Sequence, residues 1–74
     1  DPAIEGHVSA PIPGMVSAIA VELNQTVAKG EKLLVMEAMK MQTTVYAPKA
    51  GRIVARHVAM GSQVEAKDLL MVIE

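Results

Sequence analysis

The chain has 74 residues, a net charge of −1, 51% hydrophobic residues and no cysteine. That is enough for one small domain, too apolar for a disordered segment, and consistent with a reducing compartment. The basic residues (Lys29, Lys32, Lys40, Lys49, Arg52, Arg56 and Lys67) are scattered and Tyr46 is the sole aromatic, so nucleic acid is not an expected partner; no apolar run is long enough to span a membrane.

In chain order, residues 1–7 are small and polar and read as a linker or tail. His7 and His57 have no His, Cys or carboxylate at ligand spacing, so both are expected at the surface and no metal site is predicted. A strand is predicted over 8–10, stopped by Pro11-Ile12-Pro13-Gly14. A longer β-branched run over 15–23 follows, then a turn at Asn24-Gln25, a short segment at Val27 and a second turn at Lys29-Gly30-Glu31. Residues 32–37 form a strong strand whose consecutive apolar residues suggest a central position. The same series then recurs over 43–47, 52–60, Val64 and 69–73.

The recurrence is an internal repeat. A shift of 37 positions lays 8–37 on 45–74 without a gap. Val8/Val45, Ala10/Ala47, Pro11/Pro48, Gly14/Gly51, Ala18/Ala55, Val21/Val58, Val27/Val64, Leu33/Leu70, Val35/Val72 and Glu37/Glu74 are identical. Asn24 falls on Gly61, which predicts one left-handed backbone position used twice. Residues 31–42 contain good helix formers, but the mate of their first half, 68–74, is a plain strand sequence, which decides for strand. Val16 and Val21 are an odd five positions apart, as are Ile53 and Val58, so a bulge is predicted near 18–20 and again near 55–57. Four short strands per copy predict an all-β fold: a flattened eight-stranded barrel or sandwich of two four-stranded antiparallel sheets with internal quasi-two-fold symmetry.

Residues 38–44, which include Lys40, are the join that the repeat leaves out. The join should be a hairpin, yet Ala38-Met39-Lys40-Met41 lacks the Gly, Asn or Asp that tight hairpin turns favour. Composition alone reads Lys40 as a solvated turn lysine with Met39 and Met41 packed down. Conflict between local chemistry and inferred structure, however, tends to mark function, and exposed methionines suit an adaptable contact surface. Catalysis by Lys40 itself would require burial, which an exposed tip does not give. A carrier role fits better: four methylenes form a tether, and another protein modifies the amine.

Glu37-Ala38-Met39-Lys40-Met41, with Ala10-Pro11-Ile12-Pro13-Gly14 before it and Ala47-Pro48-Lys49-Ala50-Gly51 after it, resembles the biotinyl (biotin carboxyl carrier) domain of biotin-dependent carboxylases over residues 8–74. The resemblance implies a biotinyl/lipoyl-like barrel with biotin in amide linkage on Lys40, flanked by Ala38, Met39 and Met41 as the attachment motif. It also implies a non-catalytic carrier within a multifunctional ATP-dependent carboxylase of the ligase class. The implied partners are a biotin protein ligase and the biotin carboxylase and carboxyltransferase domains of a parent enzyme, in the cytoplasm or, in a eukaryote, the mitochondrial matrix. Lipoyl domains are similar in fold but typically have Asp before and Ala after the lysine, so the methionines favour biotin. Gln42 stands where the family usually has Glu, and Lys67 where the late turn usually has Gly; the second departure puts positive φ in that turn in doubt. Ala10-Pro11-Ile12-Pro13-Gly14-Met15 and the run 65–74 resemble the pyruvate carboxylase branch. Acyl-CoA carboxylases, transcarboxylases and decarboxylases are the alternative, and a lipoyl-type carrier or an unmodified adaptor are further ones.

Overall fold

The computed structural model describes residues 6–74; the expected linker over 1–5 lies outside the described residues. Eight strands form: β1 (His7–Ser9), β2 (Gly14–Ile19), β3 (Thr26–Val27), β4 (Lys32–Ala38), β5 (Met41–Tyr46), β6 (Gly51–Arg56), β7 (Gln63–Val64) and β8 (Leu69–Ile73). β1 takes in His7, which the sequence assigns to the leading segment. All pairings are antiparallel, in two sheets of order β1-β8-β6-β3 and β5-β4-β2-β7. The shift of 37 that relates the sequences also carries one sheet onto the other. Each sheet draws two strands from each repeat, so the repeats interlock instead of packing as separate layers. The body is flattened, 31 × 23 × 18 Å.

The core lies between the sheets and is aliphatic, with Val16, Leu33, Leu34, Met36, Ile53, Leu70, Met71 and Ile73 shut off from solvent. Each such side chain contributes roughly 1.5–3 kcal/mol by leaving water. Among the described residues no polar or charged residue is buried with them.

Bulges let this alternation work. The register shifts between Val16 and Ala18 and between Ile53 and Ala55, so the extra residues are Ser17 and Val54, slightly earlier than the spacing of the valines suggests. The Ser17 hydroxyl donates to the Val35 carbonyl at 3.2 Å across its bulge. A second pair sits at Leu33 and Leu70, again mates, and brings Leu33 and Leu34 inward together, as it does Leu70 and Met71. β4 is central in its sheet as expected, but its run of apolar residues reflects this bulge, since Val35 faces outward and is half-buried.

The turns repeat the same hydrogen-bond pattern with different acceptor side chains. Glu22 N–H donates to Gln25 Oε1 and Ala59 N–H to Ser62 Oγ, both at 3.0 Å; Ala28 N–H donates to Glu31 Oε1 and Glu65 N–H to Asp68 Oδ2. Asn24 and Gly61 share positive φ, 72° and 90°, as their alignment predicts. Lys67 also keeps the positive φ of its mate Gly30, 74° against 84°, contrary to the doubt raised by its side chain. The cause is tertiary: Lys67 N–H donates to Ala10 O and Gly30 N–H to Ala47 O, each at 2.8 Å, and these bonds hold the conformation whatever the side chain.

Gly14 opens β2 where it passes the end of β4. A Cβ there would stand 2.7 Å from the Glu37 carbonyl oxygen and 3.1 Å from Ala38 Cβ. Gly14→Ala is therefore expected to cost about 1–3 kcal/mol by forcing the backbones apart. Thermal unfolding followed by circular dichroism should show the loss; an unchanged Tm would mean that the strands separate freely at this point.

Candidate functional site: the hairpin between the repeats

β4 and β5 pair up to Ala38↔Met41, with Glu37↔Gln42 one step below, so the join narrows to a two-residue turn of Met39 and Lys40. Both turn residues have positive φ, 52° and 68°. Positive φ at both central positions is the requirement of the type I′ turn, whose twist matches that of the flanking strands. Side chains with a Cβ adopt this conformation at a cost of roughly 1–2 kcal/mol each. The conflict visible in the sequence is real: the hairpin takes the favoured backbone shape with residues that disfavour it.

The result is presentation. Lys40 is exposed at the apex, Met39 is 94% exposed and Met41 70%. The methionines do not pack down. Ala38, the third expected flank, is half-buried and anchors the turn against β2 through Gly14. Glu37 and Gln42 are exposed and opposite one another, so the Gln42 substitution leaves the turn untouched. Ala38, Met39 and Met41 also border a groove with Ile12, Pro13 and Thr43 on one side of the hairpin. The sequence marks Ile12 and Pro13 as part of a motif but not as neighbours of the turn; the loop between β1 and β2 brings them there.

Among the described residues no cluster of three or more His, Cys, Asp or Glu could hold a metal ion. His57 is exposed and His7 half-buried at the start of β1. No helix among the described residues is long and apolar enough to cross a membrane. An exposed primary amine rooted on a two-residue turn suits acylation by another protein, and the four methylenes of the lysine give it reach.

The chain was compared with known proteins. The biotin–lipoyl family profile, described as "Biotin-requiring enzyme", matches residues 6–73. Pyruvate carboxylase of Bacillus subtilis is 44% identical over 68 residues, 92% of this chain and 6% of that protein. The mitochondrial pyruvate carboxylase of Homo sapiens is 41% identical over 71 residues, again 6% of its length. A biotin carboxyl carrier protein of Streptococcus mutans is 39% identical over 64 residues, 86% of this chain and 49% of that protein. Among solved structures, the urea carboxylase of Kluyveromyces lactis superposes with a TM-score of 0.85 at 28% identity, covering 92% of this chain and 6% of that one. The chain thus spans a small fraction of the carboxylases that it matches.

Replacing Met39-Lys40 with Asn-Gly is expected to raise stability by about 1–2 kcal/mol, because both residues then suit the turn. A Tm that stays level or falls would show that the turn is not strained. With the fold, the presented amine and these matches together, the chain belongs to the biotin–lipoyl family of biotin-requiring enzymes and is a biotin carrier domain of the kind found in biotin-dependent carboxylases.

Proposed function

We propose that Lys40 is the residue that carries biotin, in amide linkage, and that Ala38, Met39 and Met41 form the motif by which a biotin protein ligase reads the turn. The observation that carries this reading is the exposed Lys40 at the apex of the Met39–Lys40 turn, at the seam between the repeats. The site suits the group: the amine is accessible, its flanks are apolar, and the hairpin is braced by Gly14 against β2. When bound, biotin supplies a ureido nitrogen able to accept and give up a carboxyl group. The chain's own residues contribute position: the turn fixes the root of the tether, and the lysine methylenes give it reach. We assign the carrier unit to the repeats 8–37 and 45–74 and the join 38–44, with β1 reaching back to His7.

The partners that fit are a biotin carboxylase and a carboxyltransferase of one parent enzyme, an ATP-dependent carboxylase of the ligase class, in the cytoplasm or a mitochondrial matrix. Tethering makes each visit effectively intramolecular, so weak docking contacts suffice. Pyruvate is the favoured acceptor because the pyruvate carboxylases of Bacillus subtilis and Homo sapiens match most of the chain. An acyl-CoA acceptor is the second reading. It is favoured by the α chain of propionyl-CoA carboxylase of Sus scrofa, 41% identical over 64 residues, and by a long-chain acyl-CoA carboxylase structure with a TM-score of 0.81 at 37% identity.

Lys40→Arg keeps the positive charge but supplies a poor nucleophile. Coexpressed with a biotin protein ligase, this variant is expected to give the circular dichroism spectrum of the wild type and no biotin adduct by intact mass, while the wild type gains one biotin. An adduct on the variant would overturn the assignment, and a lipoyl adduct on the wild type would move the chain to the other branch of its family.

A further inference from the structure

A groove lies beside the hairpin, next to Lys40. It is a depression of about 420 Å³ lined by Ile12, Pro13, Ala38, Met39, Met41 and Thr43, apolar throughout except for the Thr43 hydroxyl. This is within the size range of small-ligand sites, which are typically apolar with a few polar groups. Two of its walls have mates in the other repeat: Ile12 corresponds to Lys49 and Pro13 to Ala50. The other repeat carries a lysine and an alanine at these positions, and Ile12 is partly buried, with one side packed against the core. The four further walls, Ala38, Met39, Met41 and Thr43, belong to the join that holds Lys40.

We propose that this groove is a resting site for the biotinyl group carried by Lys40, with Ile12, Pro13 and Met41 as the apolar wall against which its bicyclic ring lies. The proposal rests on the assignment of biotin to Lys40. The occupant is chosen by continuity, because three lining residues flank the attachment lysine. It is also chosen by concentration: a group on a short flexible tether is present at its own root at millimolar effective concentration. An intrinsic affinity in the millimolar range, too weak for any free ligand to use, then suffices for substantial occupancy. Such weak retention covers exposed Met39 and Met41 between visits and is readily given up to a deeper pocket on a partner. A groove that bound tightly would hold the arm back.

The test compares the apo and biotinylated forms of the 74-residue chain by NMR. Intact mass first establishes one biotin on the wild type and none on Lys40→Arg; absence of the adduct overturns both the attachment and the groove. With the adduct present, the expected result is a set of shifts that reaches Ile12 and Thr43, with nuclear Overhauser contacts between the ring protons and the Ile12 methyls. Shifts confined to 39–41 would overturn the groove and leave the attachment standing. Ile12→Lys installs the residue that the other repeat uses at this place; it is expected to abolish the shift at Thr43 and still accept biotin. Should that variant unfold, the wild-type Overhauser contacts decide alone. Perturbation of Ile12 and Thr43 by added ligase in the apo form, without any on biotinylation, would assign the groove to the ligase and overturn the proposal.

Discussion

The structure depends on a reciprocal set of backbone hydrogen bonds in which each repeat closes the other. Asn24 N–H donates to Ile53 O at 2.7 Å and Gly61 N–H to Val16 O at 2.8 Å; Ile53 N–H donates to Gln25 O and Val16 N–H to Ser62 O, both at 2.9 Å. Val16 and Ile53 are mates at the centre of the core, and each is held by the turn of the opposite repeat. Because both sheets mix strands of both repeats, neither half has a face that it can bury alone. A buried backbone group left unpaired costs free energy comparable to a lost hydrogen bond, so these bonds form together or not at all. That mutual closure lets a 74-residue chain without a cysteine hold an aliphatic core, where small domains more often need a disulfide or a metal.

Against this background the hairpin between β4 and β5 is the join that the sequence repeat leaves out. Everything that braces it is shared with the other repeat: the central strand β4, the bulge at Leu33 and the close approach at Gly14. What is peculiar to it is chemical. Met39 and Lys40 take left-handed backbone conformations that Asn and Gly would take more easily, and both are exposed. Stability alone would not select such residues. The shell over-determines the turn, and that surplus allows the tip to be composed for what it presents, at some expense in strain.

Much of this was legible in the sequence because a repeat doubles the information. Matched turns and matched valines mark eight short strands and locate the join, but not the interlocked order of the strands within the two sheets. The side chains of Gln25 and Ser62 accept from the equivalent Glu22 and Ala59 N–H groups, and those of Glu31 and Asp68 from the equivalent Ala28 and Glu65 N–H groups, which explains why unlike residues align there. Three features were less accessible, each for a tertiary reason. The bulges lie at Ser17 and Val54, a position set by cross-strand register, which the spacing of valines brackets only loosely. The conformation of Lys67 is imposed by a bond to Ala10, far away in the sequence and in the other repeat, which local propensity cannot register. The neighbourhood of Ile12 and Pro13 with Met39 and Met41 arises only when β2 is laid beside β4. A cue was present, since Ile12 and Pro13 differ from Lys49 and Ala50 in a repeat otherwise well matched around them, but without the fold that mismatch has no spatial meaning.

The interlocking of strands has a consequence for valency. A polypeptide of half this length could build the same shell only as an intertwined homodimer, with two equivalent ends. Joining the halves through Met39 and Lys40 turns one of those ends into a closed tip, while the equivalent place in the other sheet is taken by the meeting of β8 and β1. The fused chain is therefore polar where a dimer would be two-headed: the Met39–Lys40 tip occurs once, so under the proposed attachment it has one arm and one load per encounter.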